Sequence, residues 1–469
     1  MVAPEASIPL YARSLDFEQL WREFPPAPDY FHTTHLLSAD ELRTRQESRF
    51  RAQVARAWQI PFYQRHWGQA GIQEGDIRGL DDLPRIPTFS VHDMRDAIER
   101  HPPWGDLVGL DPATDDPMPL VLQTSGGTTG IPRPMLYSPR DREVMNINTG
   151  RRLFMQGVRP FDVVQVALSL GLANGGFLAR EGIWKYTGAI PLMTGSGAQT
   201  STRRQVELMR SWKTRHIAAF GSYLRHMAMV MRDELNIDPL EQRIGSLITH
   251  LGIDDRKSLE ALWGAKAYDT YGTNECGSLA AECSFQSGMH IFEDSFFLEI
   301  VDQESLSPKA AGQKGVVLQT TLFKHLAPLV RFDSNDISAF ASGDCPCGSH
   351  HRRLERIYGR SDNMIKLRGT NVFPEAIGSL VSESPLSNGE YVCIVEQVGS
   401  SGREELTVMI EAIDGSVSKQ QLSEQLRTRF KEALGVSLLV TIVDKGELND
   451  LTGLAQSSKV RRLVDRRKG

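Results

Sequence analysis

"LQTSGGTTGIPRPMLYSPRD", residues 122–141, is the stretch from which the rest of the chain can be read. Seven consecutive small or hydroxylated residues, Thr124, Ser125, Gly126, Gly127, Thr128, Thr129 and Gly130, lie between the apolar run "MPLVL" and a second extended segment, "PRPMLYS". Glycines and small polar residues lose much conformational freedom on ordering, so such a loop is costly to hold in one shape. Successive backbone N–H groups in a Gly/Ser/Thr turn form an anion-binding concavity to which the hydroxyls add donors, and polyphosphate suits it. No Gly-Lys-Ser/Thr follows the glycines, so this is not a Walker loop. The bland alternative is a Gly-rich hairpin with no ligand.

Outward from that loop, short apolar runs alternate with Gly-rich turns between residues 118 and 200: "MPLVL", "DVVQVALSL", "GAIPLM". That rhythm predicts an α/β layered domain. "STRRQVELMRSWK" predicts an amphipathic helix and "SLITHLGI" a buried strand, while "FFLEIVD", "KGVVLQTTL" and "LVRFDSNDIS" predict further strands. Residues 1–100 read as mostly helical, with Ser38 as N-cap of "ADELRTRQESRFRAQVARAWQ". The character changes near "RIYGRSDNMIKLRGTNVFP". Beyond it, "EELTVMIEAID", "SKQQLSEQLRTRFKEALG" and "VSLLVTIVD" predict a strand–helix–strand unit, with Leu422, Leu426, Phe430 and Ala433 striping one face of the helix. Residues 1–361 and 362–469 are therefore expected to be two domains.

The chain has 469 residues, too many for one ordinary core, and its 40% hydrophobic and 24% charged content is that of a globular protein. Fifty-three Lys and Arg stand against 58 Asp and Glu, a net charge of -5, which disfavours a nucleic-acid partner. The terminal "KVRRLVDRRKG" is expected to be a solvated tail. The N-terminus lacks a basic region followed by an apolar core, and no run reaches the roughly 18 apolar residues that span a bilayer. No membrane partner and a cytoplasmic location are expected.

Three further segments follow the loop in order: "YDTYGTNECG" (268–277), "LVRFDSNDIS" (329–338) and "YGRSDNMIKLRGTNVFPEAI" (358–377), with "SSKVRRLVDRR" near the end. Together they resemble the adenylate-forming superfamily of acyl-CoA synthetases and ligases, and within it the phenylacetate–CoA ligase branch. The resemblance runs from about residue 55 to the C-terminus. It implies the large layered N-terminal domain and small mobile α+β C-terminal domain of that superfamily. The implied chemistry is ATP-dependent activation of a carboxylic acid to an acyl-adenylate with release of pyrophosphate, then transfer of the acyl group to a second nucleophile. Such chemistry needs phosphate charge neutralised, a metal held, the nucleoside positioned and developing charge met by a preorganised donor.

Carried onto this chain, the resemblance makes Thr124 to Gly130 the phosphate loop. Ile131 stands where the common "SSGTTGKP" form has lysine, and Arg133 is a candidate substitute. Glu275 matches the carboxylate that binds Mg2+ bridging the phosphates, as a hard cation requires. Tyr271 matches the aromatic that stacks on adenine, with Gly272 and Thr273 lining the same pocket. Asp336 matches the acceptor of both ribose hydroxyls, with Asp333 as a rival. Arg360 approaches the ribose or phosphates, and Asp362 matches the hinge between domains. Lys459 matches the lysine delivered for adenylation, with Arg461 and Arg462 as alternatives; Lys366 and Gly369 lie on the loop that faces the site during thioester formation. The acid pocket is expected from Gly171, Phe220, Gly221, Gly252 and Tyr271, whose glycines leave room for an aromatic or cyclic acid.

Cys283 and His290 in "ECSFQSGMH", with Cys345 and Cys347 in "GDCPCGSHH", make a sensible tetrahedral set for structural Zn2+. Cys276 rivals Cys283, and His350 or His351 rivals His290. Cys393, in "EYVCIVE", reads as core. Coenzyme A is the acyl acceptor the branch implies. An amine or hydroxyl acceptor, giving an amide or ester by the same adenylate, is the alternative, and a non-catalytic nucleotide-binding relative is a third reading. A homodimer is in keeping with the resemblance.

Overall fold

The computed structural model describes residues 9–110, 117–125, 132–251, 256–363, 365–367, 370–374, 377–398, 403–453 and 460–467. Among them the largest sheet has eight strands. Five are parallel, in the spatial order Ile190–Met193, Val163–Val166, His216–Ala218, Ser246–Thr249 and Lys266–Thr273. Each crossover between them carries a helix: Gly175–Tyr186, Thr202–Ser211, Gly221–Met229 and Arg256–Trp263. A parallel pair needs such a long connection, and helices on the faces explain why "SLIT" and "HIA" are buried throughout rather than alternately.

The strand order reverses at Val163–Val166, which neighbours the next strand in sequence on one side and the one after on the other. In an open α/β sheet that reversal opens a crevice outside the carboxyl ends of the strands. Past Lys266–Thr273 the sheet turns antiparallel through Gly277–Glu282, Met289–Ile291 and Arg353–Leu354.

A second, antiparallel sheet joins Phe296–Val301, Gly315–Thr321, Phe332–Ser338 and Gly359–Arg360. The hairpin Val121–Thr124/Pro134–Tyr137 precedes the helix Pro139–Met155, whose start is fixed by Ser138 and Asp141 in a reciprocal capping box and by proline at its first position. The predicted helix after Ser38 runs Ala39–Ala57 with a capping box to Glu41. Its residues Phe50, Val54 and Ala57 join the core that holds Trp67, Phe89, Tyr271 and Phe332.

The C-terminal part has its own core, from Ile365 to Ile442, under the sheet Leu439–Val443, Arg403–Ala412, Ser387–Val398 and Leu463–Asp465. The predicted strand–helix–strand unit is present, with helix Lys419–Leu434 capped by Ser418 and closed by Gly435 at φ 71°. Leu422, Leu426 and Phe430 are buried, each contributing roughly 1.5–3 kcal/mol. Ala433, expected on that face, is exposed, and Leu434 packs there instead, because the stripe drifts by one position over the last turn.

The basic end is not a solvated tail. Leu463–Asp465 adds to the sheet in parallel with Ser387–Val398, and Arg462 pairs with the buried Glu390 at 2.8 Å while lying 4.5 Å from the Tyr391 ring centroid. The apolar pair Leu463 and Val464 within the charge was the overlooked strand signal. Among the described residues no helix is long and apolar enough to cross a membrane.

Candidate functional site

The strands Val121–Thr124 and Pro134–Tyr137 that flank the small-residue segment are tied together where it begins and ends. Ser125 N–H donates to the Arg133 carbonyl at 3.0 Å, and Arg133 N–H donates to Ser125 Oγ at 3.1 Å. Thr124 N–H donates to the Leu172 carbonyl at 2.9 Å, tying the hairpin to the "SLGLANGG" loop that leaves strand Val163–Val166. Gly126, Gly127, Thr128, Thr129 and Gly130 lie outside the described residues.

Glu275 stands in the turn between strands Lys266–Thr273 and Gly277–Glu282. A Cβ on Gly272 would lie 2.5 Å from the Gly277 carbonyl oxygen, so this tight crossing demands glycine. Three donors fasten the turn: Tyr137 Oη and Asn174 Nδ2 to the Asn274 carbonyl, at 2.5 and 3.4 Å, and Lys324 Nζ to the Glu275 carbonyl at 3.1 Å. The Glu275 carboxylate, largely buried, is ion-paired with Arg133.

Tyr271, Asp336, Arg360 and Asp362 form one chain of contacts. Tyr271 Oη donates to Asp336 Oδ2 at 2.6 Å, and Arg360 Nη1 reaches Asp336 Oδ1 at 3.3 Å. Arg360 also grips Asp362 through two hydrogen bonds of 2.9 and 2.8 Å. Burial, then the Asp336 carboxylate, raises the Tyr271 phenol well above its usual range, so it stays a neutral donor. Its ring is almost wholly enclosed, so little of its face is open for stacking.

Gln319 is the link that sequence reasoning missed. Its Nε2 donates to Tyr271 Oη at 2.8 Å, while its Oε1 accepts from Cys276 Sγ at 3.2 Å and Thr273 Oγ1 at 3.5 Å. A glutamine inside the apolar strand "GVVLQTT" was the available signal. Lys324, in "LFKHLAP", had no such cue. The rival Asp333 instead accepts from Asn335 N–H at 2.8 Å and shapes a bulge in its own strand, where Asn335 sits at φ 60°.

Those residues expected to line an acid pocket that are described lie at or near the carboxyl ends of the parallel strands. Gly171 follows Val163–Val166 and is exposed, while Phe220 and Gly221 follow His216–Ala218. Phe220 stacks on His250 at 5.8 Å, and Gly252 lies outside the described residues. Behind them, Asp269 Oδ1 accepts from Leu251 and Thr270 N–H groups at 2.8 and 2.9 Å. Burial, then repulsion from Glu282, raises its carboxyl to about 7.

Cys283, His290, Cys345 and Cys347 present ligand atoms all within 4.8 Å of one another. Cys283 Sγ lies 3.6 Å from Cys345 Sγ, and Cys347 Sγ lies 3.4 Å from His290 Nε2. Tetrahedral zinc with ordinary bond lengths sets such separations at about 3.8 Å for two sulfurs and about 3.5 Å for sulfur and nitrogen. The donor set therefore fits the ion. Donation from Cys283, with His290 and His35 turned to the same sulfur, holds the Cys347 thiol below its usual range. Cys276 is not in the cluster; burial pushes its thiol up to about 12 beside Gln319. His351 instead spans the Ile291 and Thr34 carbonyls at 2.9 and 3.0 Å, and His350 is exposed. Cys393 is core, as expected.

Lys459 and Gly369 lie outside the described residues, as does the side chain of Lys366, whose backbone is in the strand Ile365–Leu367. Of the alternatives to Lys459, Arg462 is committed to Glu390.

Comparison with known proteins gives a consistent picture. The profile of the AMP-binding enzyme C-terminal domain matches residues 369–467. The chain is 30% identical over 456 residues to a phenylacetate–coenzyme A ligase of Thermus thermophilus, covering 92% of this chain and 98% of that one. It is also 30% identical over 432 residues to a phenylacetate–coenzyme A ligase of Escherichia coli, covering 89% of this chain and 94% of that one. The crystal structure of 2-hydroxyisobutyryl-CoA ligase with 2-HIB-AMP superposes with a TM-score of 0.85 at 23% identity, over 99% of this chain and 98% of that one.

Proposed function

The chain belongs to the phenylacetate–coenzyme A ligase family of AMP-forming enzymes, and from that premise we propose that it activates an aromatic or cyclic carboxylic acid with ATP and passes the acyl group to coenzyme A. In the first step a carboxylate oxygen bonds to the α-phosphorus and the bond to pyrophosphate breaks. In the second, the coenzyme A sulfur attacks the acyl carbon and AMP leaves. The observation that carries this reading is the Tyr271–Asp336–Arg360 contact chain, with Glu275 in the turn that follows the strand of Tyr271.

Asp336 is our acceptor for the ribose hydroxyls, since a carboxylate offers two oxygens to a vicinal pair. Arg360 would face the ribose or phosphates. Tyr271, Gly272 and Thr273 would border the adenine. Glu275 supplies the hard oxygen that Mg2+ prefers; when bound, that ion neutralises charge across the phosphates. Thr124 and Ser125 would open the phosphate loop. Gly171, Phe220 and Gly221, at the strand-order reversal, would border the acid. We assign residues 1–361 and 362–469 as the two domains, with Asp362 as hinge, Lys459 delivered for adenylation and Lys366 facing the site for thioester formation. Zn2+ on Cys283, His290, Cys345 and Cys347 would be structural, because four protein ligands leave no open position.

Incubation with Mg·ATP and a panel of aryl and cyclic acids, with coenzyme A and amines added separately, tests the reading. Pyrophosphate release dependent on one acid, and a thioester formed only with coenzyme A, is the expected result. An amide formed without coenzyme A would replace the acceptor, and no release with any acid would reject the activity. Lys459→Ala should slow adenylate formation at least about tenfold, near 1.4 kcal/mol. If Arg461→Ala does so and Lys459→Ala does not, the delivered residue is Arg461.

A further inference from the structure

A cavity of about 590 Å3 opens at the end of the hairpin Val121–Thr124/Pro134–Tyr137 that is remote from the small-residue segment. Met118 and Ser138, in its wall, lie beyond the pair Val121 and Tyr137. The segment 126–130 lies beyond the pair Thr124 and Pro134, about 10 Å away along strands rising about 3.3 Å per residue. Arg13, Arg56 and Arg140 line the cavity, and among the described residues no acidic side chain does.

These guanidiniums are poorly matched by carboxylates. The exposed Arg13 side chain makes no hydrogen bond or ion pair among the described residues. Half-buried Arg56 reaches only the His325 carbonyl, at 3.4 Å. Arg140 pairs through one Nη with Glu23, while its Nε is buried with no hydrogen bond. The enclosed Asp141 carboxylate is taken up by the main-chain N–H groups of Ser138, His325 and Leu326, at 3.1, 2.6 and 3.3 Å. Burial, then the charge of Arg56, pushes the His325 imidazolium down to about 4, so that ring faces the cavity neutral. Ser138 and Pro139 bring the positive end of the helix Pro139–Met155 to the same wall. Like charges gathered at a helix start repel one another until an anion joins them. Two of the three cations lack a carboxylate, so a fitting ligand brings at least two negative charges. Leu10, Pro117, Met118 and Leu326 add apolar wall, and the volume falls within the roughly 300–1,000 Å3 of small-molecule sites.

We propose that this cavity is a second anion-binding site, separate from the substrate pocket, which takes a small molecule bearing a diphosphate on Arg13, Arg56 and Arg140. The guanidinium fork fits phosphate oxygens in pairs. The diphosphate is either free pyrophosphate or part of a larger molecule whose organic portion rests on Leu10, Met118 and Leu326. His325 lines this cavity and its neighbour Lys324 donates to the Glu275 carbonyl at 3.1 Å, so the two sites stand back to back.

Calorimetric titration of the full chain with pyrophosphate, uridine 5′-diphosphate and succinate tests this, the catalytic site being saturated beforehand with Mg2+ and an α,β-methylene analogue of ATP. One equivalent of a diphosphate should bind. Arg13→Gln and Arg56→Gln should each weaken it at least about fivefold, with the ATP analogue kept within about twofold and Arg210→Gln, on the exposed face of another helix, without effect. Tighter binding of the uridine nucleotide supports the larger ligand, and tighter binding of pyrophosphate supports the free ion. Binding of neither, binding undiminished in both variants, an equal loss in Arg210→Gln, or succinate held as tightly overturns the proposal. Arg13 is exposed, so Arg13→Gln decides should Arg56→Gln not fold. Wild type that fails to bind the ATP analogue overturns the ligase reading alone, and the same titrations without the analogue then decide this proposal.

Discussion

The two ends of strand Gly277–Glu282 make an instructive pair. Glu275 lies just before it and Cys283 just after, separated by a six-residue strand rising about 3.3 Å per residue. At the Glu275 end, polar groups are held by main-chain ties yet left with spare valence: a guanidinium shared between a carboxylate and a thioether, and an ammonium on the main-chain carbonyl of the same glutamate. At the Cys283 end, four ligand atoms close on one another within 4.8 Å and need only an ion. One strand thus carries an end with hydrogen-bonding capacity to spare and an end whose ligand set is closed. Unsatisfied donors at fixed positions favour binding, and a completed ligand set favours stability.

Asp336→Ala should give the largest effect. Removing the acceptor of Tyr271 and Arg360 should cut acid-dependent pyrophosphate release about a hundredfold, roughly 2.7 kcal/mol. Less than a threefold change would move the ribose site to Asp333. Next comes the closed ligand set. Protein purified without chelator should hold one zinc per chain, and Cys345→Ser should lose it and lower Tm by at least about 4 °C with ATP affinity kept. Protein free of zinc at the outset would break the comparison.

Beside Glu282, at the Cys283 end, lies Asp269, whose carboxyl is raised to about 7 by burial and Glu282. Its folded state holds a proton that the unfolded chain, at the ordinary value of 3.8, has released. This contribution is therefore complete at low pH and is lost as pH rises from about 4 through 7, at up to about 1.4 kcal/mol per pH unit. Asp269→Asn keeps the acceptor oxygen for Leu251 and Thr270 and removes the titration, so its urea midpoint should gain on wild type between pH 5 and 8. A constant gap would show that Asp269 does not titrate there. Tyr271→Phe should be the mildest change. The ring remains and Arg360 still faces Asp336, so KM for ATP should rise less than about fivefold, under 1 kcal/mol, with kcat kept. A larger fall in kcat would make the hydroxyl part of the reacting constellation.

Much of the site was legible because its residues are fixed by local backbone demands. "YGTNE" reads as a strand running into a tight turn, Gly272 is dictated by a carbonyl 2.5 Å away, and the Cys-x-Cys turn contributes two thiols to the four-ligand cluster. Gln319 and Lys324 were not legible in that way. Each lies in a segment whose pattern is dominated by burial, and what makes them polar members of the site is a partner far off in sequence: Tyr271 for one, the Glu275 carbonyl for the other. The terminal basic run misled for a related reason. Charge suggested solvation, while Leu463 and Val464 found a sheet edge that only the folded chain provides.

By itself the sequence determined the layered α/β class, the ordered motifs and the chemistry they imply, since hydrophobic period, turn residues and ligand types are written locally. Tertiary structure alone decided which of Asp333 and Asp336 meets Tyr271, and which cysteine, Cys276 or Cys283, joins the cluster. It also decided that Arg133 rests on Glu275. The physical reason is that pairing depends on distance through space, and residues that are equivalent along the chain come to differ once strands from distant segments set their neighbours.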